Sequence, residues 1–217
     1  MNNGNFQTAS EIAYDIISKK IMAGEFQPGM RLSRRKMADI TGVSVIPVIE
    51  ALKKLEENYL VESKPQWGSF VTVPTKERIY KMYEVREALE CQIARILAVK
   101  MTKEQMELIT PIATALDTEP YDENHRDEAQ AQHMKFHMSL AQFTGNEYLE
   151  ASLEKINLFW ILCTALHARA RTVVYPRYWH RKLIDDIVSG DAERAESSMR
   201  KHIIDSLIPI IESKSGY

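Results

Sequence analysis

The run Gly42-Val43-Ser44-Val45-Ile46-Pro47-Val48-Ile49-Glu50-Ala51-Leu52-Lys53-Lys54-Leu55 decides how this chain is read. Gly42-Val43 forms a turn, Ser44 opens a helix, and Pro47 falls in that helix's first turn, where a missing N–H costs nothing. Val48, Leu52 and Leu55 recur at helical spacing and supply its inner face. Working backwards, a short helix from about 33 to 40 stops at Thr41-Gly42. Before it, Ile12, Ile16, Ile17 and Ile21 mark a helix capped by Thr8 or Ser10 and closed before Gln27-Pro28-Gly29. Working forwards, the period shifts after Asn58. Leu60-Val61-Glu62-Ser63 and Ser69-Phe70-Val71-Thr72-Val73 are β-type runs joined by Lys64-Pro65-Gln66-Trp67-Gly68, which reads as a hairpin. Three helices and a hairpin make a winged helix-turn-helix over residues 1–74, with Pro74 as the exit.

The rest of the chain, residues 75–217, reads as helix after helix, near 76–100, 102–116, 126–144, 146–171, 175–189 and 191–213. Thr75, Thr102, Asn146 and Asp191 stand at helix starts as caps. Residues 117–124, polar and holding Pro120, form the longest loop. Short connections and no strand signal imply an antiparallel helical bundle, so the fold class is mainly α.

Composition excludes several classes of protein. The 217 residues are 45% hydrophobic and 27% charged, which argues against disorder. Two cysteines, Cys91 and Cys163, do not make a disulfide framework, and no apolar run is long enough to cross a membrane. The polar opening Met1-Asn2-Asn3-Gly4-Asn5 has no signal-peptide character, so a soluble cytoplasmic protein is expected. The net charge of -2 does not announce a nucleic-acid partner. Residues 1–74 hold nine Lys/Arg against eight Asp/Glu, so the local arrangement has to carry that question.

In a helix-turn-helix, the second helix enters the major groove with its N-terminal residues facing base edges. Here that tip is Ser44, Val45 and Ile46, with Ser44 placed to cap the helix and touch a phosphate. Arg31, Arg34, Arg35 and Lys36 cluster at the start of the preceding helix, where cations follow a phosphate backbone or simply make a solvated face. Gly68 in the hairpin turn permits close approach to DNA, or only the turn itself.

These residues resemble a known family. Pro28-Gly29-Met30-Arg31-Leu32-Ser33, Met37-Ala38-Asp39-Ile40-Thr41-Gly42-Val43-Ser44 and Pro47-Val48-Ile49-Glu50-Ala51-Leu52 are similar to the N-terminal domain of GntR-type transcriptional regulators. The resemblance implies double-stranded DNA as partner and a homodimer. The family pattern reads VSRxPVREAL and this chain VSVIPVIEAL, so Val45 and Ile49 replace two arginines that contact DNA in the family. Arg35 matches a DNA-contacting arginine of some members. An A·T-leaning operator or weaker DNA binding is the expected consequence.

The second constellation is a set of histidines. His133 and His137 are four apart on one predicted helix and project from one face. His180 and His202 each lie about eleven residues from the turn at Ser189-Gly190-Asp191, so a helical hairpin brings them level. Four imidazoles converging inside a bundle make a metal-site geometry, although a lone helical histidine is more often structural. His125 and His167 have no such partnership and are read as structural.

His133-Met134-Lys135-Phe136-His137, Gly145-Asn146, His180, and Gly190-Asp191 with Ala195, Met199 and His202 resemble the FCD ligand-binding domain of the FadR subfamily, in its six-helix VanR-like form. In many such domains one Asp and three His hold a divalent metal to which a carboxylate effector coordinates. The resemblance places His137, His180 and His202 on the three histidines, and His133 in the Asp position. With His133 as a ligand, imidazole in place of carboxylate makes the site softer and favours zinc, nickel or copper over manganese or magnesium; alternatively His133 turns away and the three histidines leave open positions for water or effector. Arg86, whose planar fork suits a carboxylate, is the candidate effector grip, unless Glu90 one turn on claims it in a salt bridge. Tyr83, Trp160 and Arg169 are weaker candidates for the pocket wall.

The expected function is therefore an effector-controlled, DNA-binding transcriptional regulator whose effector is a small organic acid. Two alternatives stay open. One is a metal or metabolite sensor whose DNA recognition has decayed. The other is a metal-dependent hydrolase, which the winged helix does not favour.

Overall fold

The computed structural model describes residues 7–118, 126–167 and 178–212. The chain divides into two compact units. One holds the residues up to Thr75 together with Leu158–Leu166, and the other holds Lys76–Asn157 and the chain from His167.

In the N-terminal unit, helices α1 (Ala9–Met22), α2 (Arg34–Thr41) and α3 (Val45–Glu57) pack on one another, and α3 packs on a small antiparallel sheet. Thr8 starts α1 in a reciprocal cap: it accepts from the Glu11 N–H at 3.2 Å, and the Glu11 carboxylate accepts from the Thr8 N–H at 2.8 Å. Ala13, Ile17 and Ile21 form the buried stripe of α1, while Ile12 and Ile16 are only half-buried. Met37 of α2 and Val48, Ala51, Leu52 and Leu55 of α3 close the core from the other side. Gly42 ends α2 with φ +71°, a left-handed conformation in which a side chain is strained.

The sheet differs from the hairpin expected. Its strands are β1 (Arg31–Leu32), β2 (Val61–Lys64) and β3 (Gly68–Val71), in the order β1-β3-β2. The hairpin strands sit about a residue from their expected positions because β3 is the middle strand and must register with both neighbours, Glu62 and Arg31 each facing Phe70. A two-residue strand such as β1 leaves no periodicity to read.

The helical unit contains α4 (Lys76–Lys100), α5 (Lys103–Thr118), α6 (Arg126–Phe143), α8 (Trp179–Ile187), α9 (Ala192–Glu212) and, divided between the units, α7 (Glu147–His167). Helix α4 packs most extensively on α9, and α8 bridges α5 and α9. Three expected caps form. Thr102 and Gln105 cap α5 reciprocally, Asn146 accepts from the Tyr148 and Leu149 N–H groups, and Asp191 accepts from those of Glu193 and Arg194. Among the described residues, no helix is long and apolar enough to cross a membrane.

Asp186 ties the α8–α9 hairpin together. Its carboxylate is buried and accepts from Lys182 Nζ at 2.7 Å, Ser198 Oγ at 2.7 Å and the Arg194 guanidinium at 2.6 Å. Burial alone would raise its pKa, but these three donors outweigh burial and hold it below the usual value of 3.8. A lowered folded pKa contributes stability that is complete above the unfolded value and lost as pH falls through the folded one. Asp186→Asn should therefore cost about 1–3 kcal/mol at neutral pH. Urea titrations should show that difference shrinking below pH 3.8.

Candidate nucleic-acid interface and metal centre

In the N-terminal unit, Ser44 occupies the N-cap position of α3 with extended backbone, but its hydroxyl makes no capping bond. The expected side-chain cap is therefore absent, and the first N–H groups of α3 stay available to an anion. Val45, Ile46 and Ile49 are exposed beside it, at 37%, 71% and 40%.

Arg34 and Arg35 open α2, with no acidic residue in that first turn. Cations there oppose the helix dipole at a cost of about 0.3–1 kcal/mol each, so helix stability does not explain them. With Arg31, Lys64, Gly68 and Ser69 they line a cleft of about 610 Å³. Gly68 lies on its rim with φ +97°, which a side chain would strain, and Trp67 beside it is 70% exposed.

In the helical unit, all four predicted histidines come together and are buried. One nitrogen each from His133, His180 and His202 lies within 4.8 Å of the other two. His137, which the resemblance placed among the three family histidines, adjoins this trio without being one of it, its Nε2 3.3 Å from His133 Nε2 and 3.4 Å from His202 Nε2. These separations match those of nitrogens sharing a Zn²⁺ at about 2.0–2.1 Å, and equally those of a long N–H···N hydrogen bond between neutral imidazoles. His180 and His202 lie level as expected, their ring centroids 5.1 Å apart. His180 Nε2 and His202 Nδ1 are buried with no hydrogen-bond partner among the described residues.

Two carboxylates orient the rings. Glu90 Oε2 accepts from His137 Nδ1, which leaves the His137 Nε2 lone pair facing the cluster. Asp117 Oδ1 accepts from His180 Nδ1 at 2.9 Å and does the same for His180 Nε2. Asp117 was expected in a loop but lies in α5, where it also accepts from the backbone N–H groups of His180 and Arg181 at 3.0 and 2.9 Å. It thereby caps α8, which the left-handed Tyr178 preceding it does not. Trp179 stacks on His202 with centroids 3.8 Å apart, and Phe136 meets His137 and His180 edge-on.

Arg86 is buried and its Nε donates to Glu90 Oε1 at 2.5 Å, the salt bridge weighed as the alternative to an effector grip. Burial would raise the Glu90 carboxyl, yet Arg86 and His137 hold it at about 2. Burial pushes His133 and His202 well below the usual imidazole range, and the neighbouring imidazoles and Arg86 add to this. For His137, burial also outweighs the pull of Glu90. All three are therefore neutral at pH 7, the protonation state in which an imidazole can ligate a metal. Tyr83 is buried, its hydroxyl donating to the Ser206 carbonyl at 3.4 Å. His125, Arg169 and the side chains of Trp160, Cys163 and His167 lie outside the described residues.

Sequence reasoning singled out the histidines but not Asp117 or Trp179, and it placed Glu90 only beside Arg86. The Asp117 and Trp179 contacts join distant parts of the chain and leave no local spacing. The i,i+4 pair Arg86–Glu90 was the available sign of Glu90.

Residues 9–71 match the family model described as "Bacterial regulatory proteins, gntR family", and residues 81–205, more than half of the chain, match the FCD domain. The uncharacterized HTH-type transcriptional regulator YdhC of Bacillus subtilis is 24% identical over 193 residues, covering 87% of this chain and 85% of that protein. The HTH-type transcriptional repressor GlaR of Escherichia coli is 22% identical over 209 residues, covering 92% and 94%. The structure of Escherichia coli McbR/YncC superposes with a TM-score of 0.74 at 15% identity over 94% of this chain and 98% of that one, a likeness of fold. The matched families and relatives are transcriptional regulators, not enzymes.

Proposed function

This chain belongs to the GntR family of bacterial regulatory proteins and carries an FCD domain, and on that premise we propose an effector-controlled homodimer whose operator binding answers to the helical unit. The tip of α3 enters the major groove, with Val45 and Ile46 at base edges and Ser44, Arg34 and Arg35 on phosphates. Gly68 brings the wing close to the backbone.

His133, His137, His180 and His202 hold a divalent metal, zinc or nickel by the softness of an all-imidazole set. A metal held there would take an anionic effector as a fifth ligand, or as a fourth if one imidazole stood aside. The observation that carries this reading is the buried imidazole cluster whose His137 and His180 are each turned by a carboxylate. Two carboxylates, one guanidinium and a dication leave one positive charge, which a small monocarboxylate neutralises. Arg86 serves the effector through its charge while its Nε is held by Glu90. Effector binding then favours one arrangement of the DNA-reading units over another.

Selection of genomic fragments by the purified protein, repeated at several salt concentrations, tests the DNA half of this proposal. Four cations per protomer around the cleft, doubled in a dimer, predict a log–log salt slope of about −7 for a shared palindrome. Arg35→Ala should lower the slope's magnitude by about 2 without changing the selected sequence. A salt-independent affinity would remove the cleft from the interface. No enriched sequence would favour the second reading, a sensor acting through protein contacts, for which the apolar tip of α3 speaks.

A further inference from the structure

The buried stripe of α3, formed by Val48, Ala51, Leu52 and Leu55, fixes which way its first turn faces. At 100° per residue, Ile46 points directly away from the centre of that stripe. Val45 and Ile49 lie on its flank, four residues apart and so nearly in line. Three branched apolar side chains thus cover the helix tip, where exposure to water gains nothing for the fold. Lys53 continues the outward sector two turns on, and Glu50 borders it. The cleft with Arg31, Arg34, Arg35 and Lys64 lies in the same unit, so an apolar tip accompanies a cationic surface suited to a polyanion.

We infer that Val45, Ile46 and Ile49 read thymine through its 5-methyl group, an inference that rests on the DNA-binding reading above. In the major groove, the thymine methyl is the apolar feature that distinguishes one base pair from another. An aliphatic tip buries it favourably. Against guanine, the same side chains would strip water from O6 and N7 and offer no donor in exchange, which disfavours G·C pairs. Specificity at these positions thus comes from methyl burial together with rejection of guanine. Glu50, at the border, accepts only from an exocyclic amine, as cytosine and adenine present in this groove.

The test uses the full chain and the DNA that it selects from a random pool. Each thymine of the selected site is replaced singly by deoxyuridine, which removes the methyl and leaves Watson–Crick pairing intact. Binding should weaken about fourfold at each contacted thymine and stay unchanged elsewhere. Ile46→Ala, at an exposed position where folding is not at stake, should bind the thymine site more weakly. That variant should show no further loss when its own thymine becomes deoxyuridine. Equal affinity for thymine and deoxyuridine at every position would overturn the methyl reading while leaving DNA binding in place. Deoxyuridine sensitivity that persists in full in Ile46→Ala, Val45→Ala and Ile49→Ala would overturn the assignment to this tip. Failure to select any DNA would overturn the underlying reading instead.

Discussion

Replacing Glu90 by leucine should destabilise the helical unit by about 3–5 kcal/mol, among the largest effects of any single substitution here. Arg86 and Glu90 are each 1% exposed, so neither charge can turn to water when the other is lost. The Glu90 carboxylate has two tasks, accepting from Arg86 Nε with one oxygen and from His137 Nδ1 with the other. Leucine retains most of the volume, so the loss reflects a buried guanidinium deprived of its counter-charge rather than a cavity. The pair Arg86→Met with Glu90→Leu should recover most of that loss, because the desolvation penalty then disappears with the charges. Denaturant titration followed by tryptophan fluorescence and helical ellipticity measures both. If the double variant is no better than Glu90→Leu, the ion pair is not the source of the cost. The milder Glu90→Gln separates the two tasks, since it can still bond to Arg86 but no longer draws the His137 Nδ1 proton with a full charge. Its signature is metal affinity lowered about 10–100-fold with stability less affected.

What could be read beforehand follows from where each interaction lives along the chain. Thr8 with Glu11 and Thr102 with Gln105 are three residues apart, and both caps form where the sequence placed them. His133 and His137 share a helix face by spacing alone. His180 and His202 meet because a hairpin of two straight helices converts equal distance from a turn into equal height. All of that is local geometry. Strand β1, by contrast, exists only because β3 offers it a free edge. Asp117 acts on a helix that starts 62 residues later, and a polar run with a proline conceals that it ends a helix rather than opening a loop. Ser44 failed in the opposite direction. Its type and position fit an N-cap, yet its hydroxyl makes no such bond, and that is the kind of departure expected where a surface serves a partner.

Metal content is the second large effect. Protein purified without chelator should carry about one zinc or nickel per chain by elemental analysis, and His180→Ala or His202→Ala should carry almost none. His180 is the sharper choice, because Asp117 turns its Nε2 to a place where no described residue bonds it. Ligands that bind only the folded state stabilise it by mass action, about 4 kcal/mol at a thousandfold excess over Kd. Stripping the metal should therefore lower the melting temperature of the helical unit by about 10 °C, and restoring zinc should reverse the loss. His180→Ala should melt near the stripped protein and ignore added zinc. His133→Asp should distinguish a metal site from a merely buried imidazole stack. It restores a hard oxygen and a negative charge, so it should still bind metal but shift preference from zinc or nickel toward manganese. A stack without metal would instead lose stability on that change, from a buried carboxylate, and gain nothing from any cation. Unchanged metal content in His180→Ala, or a melting temperature indifferent to zinc in the wild type, would leave the four histidines a structural core and the effector without its anchor.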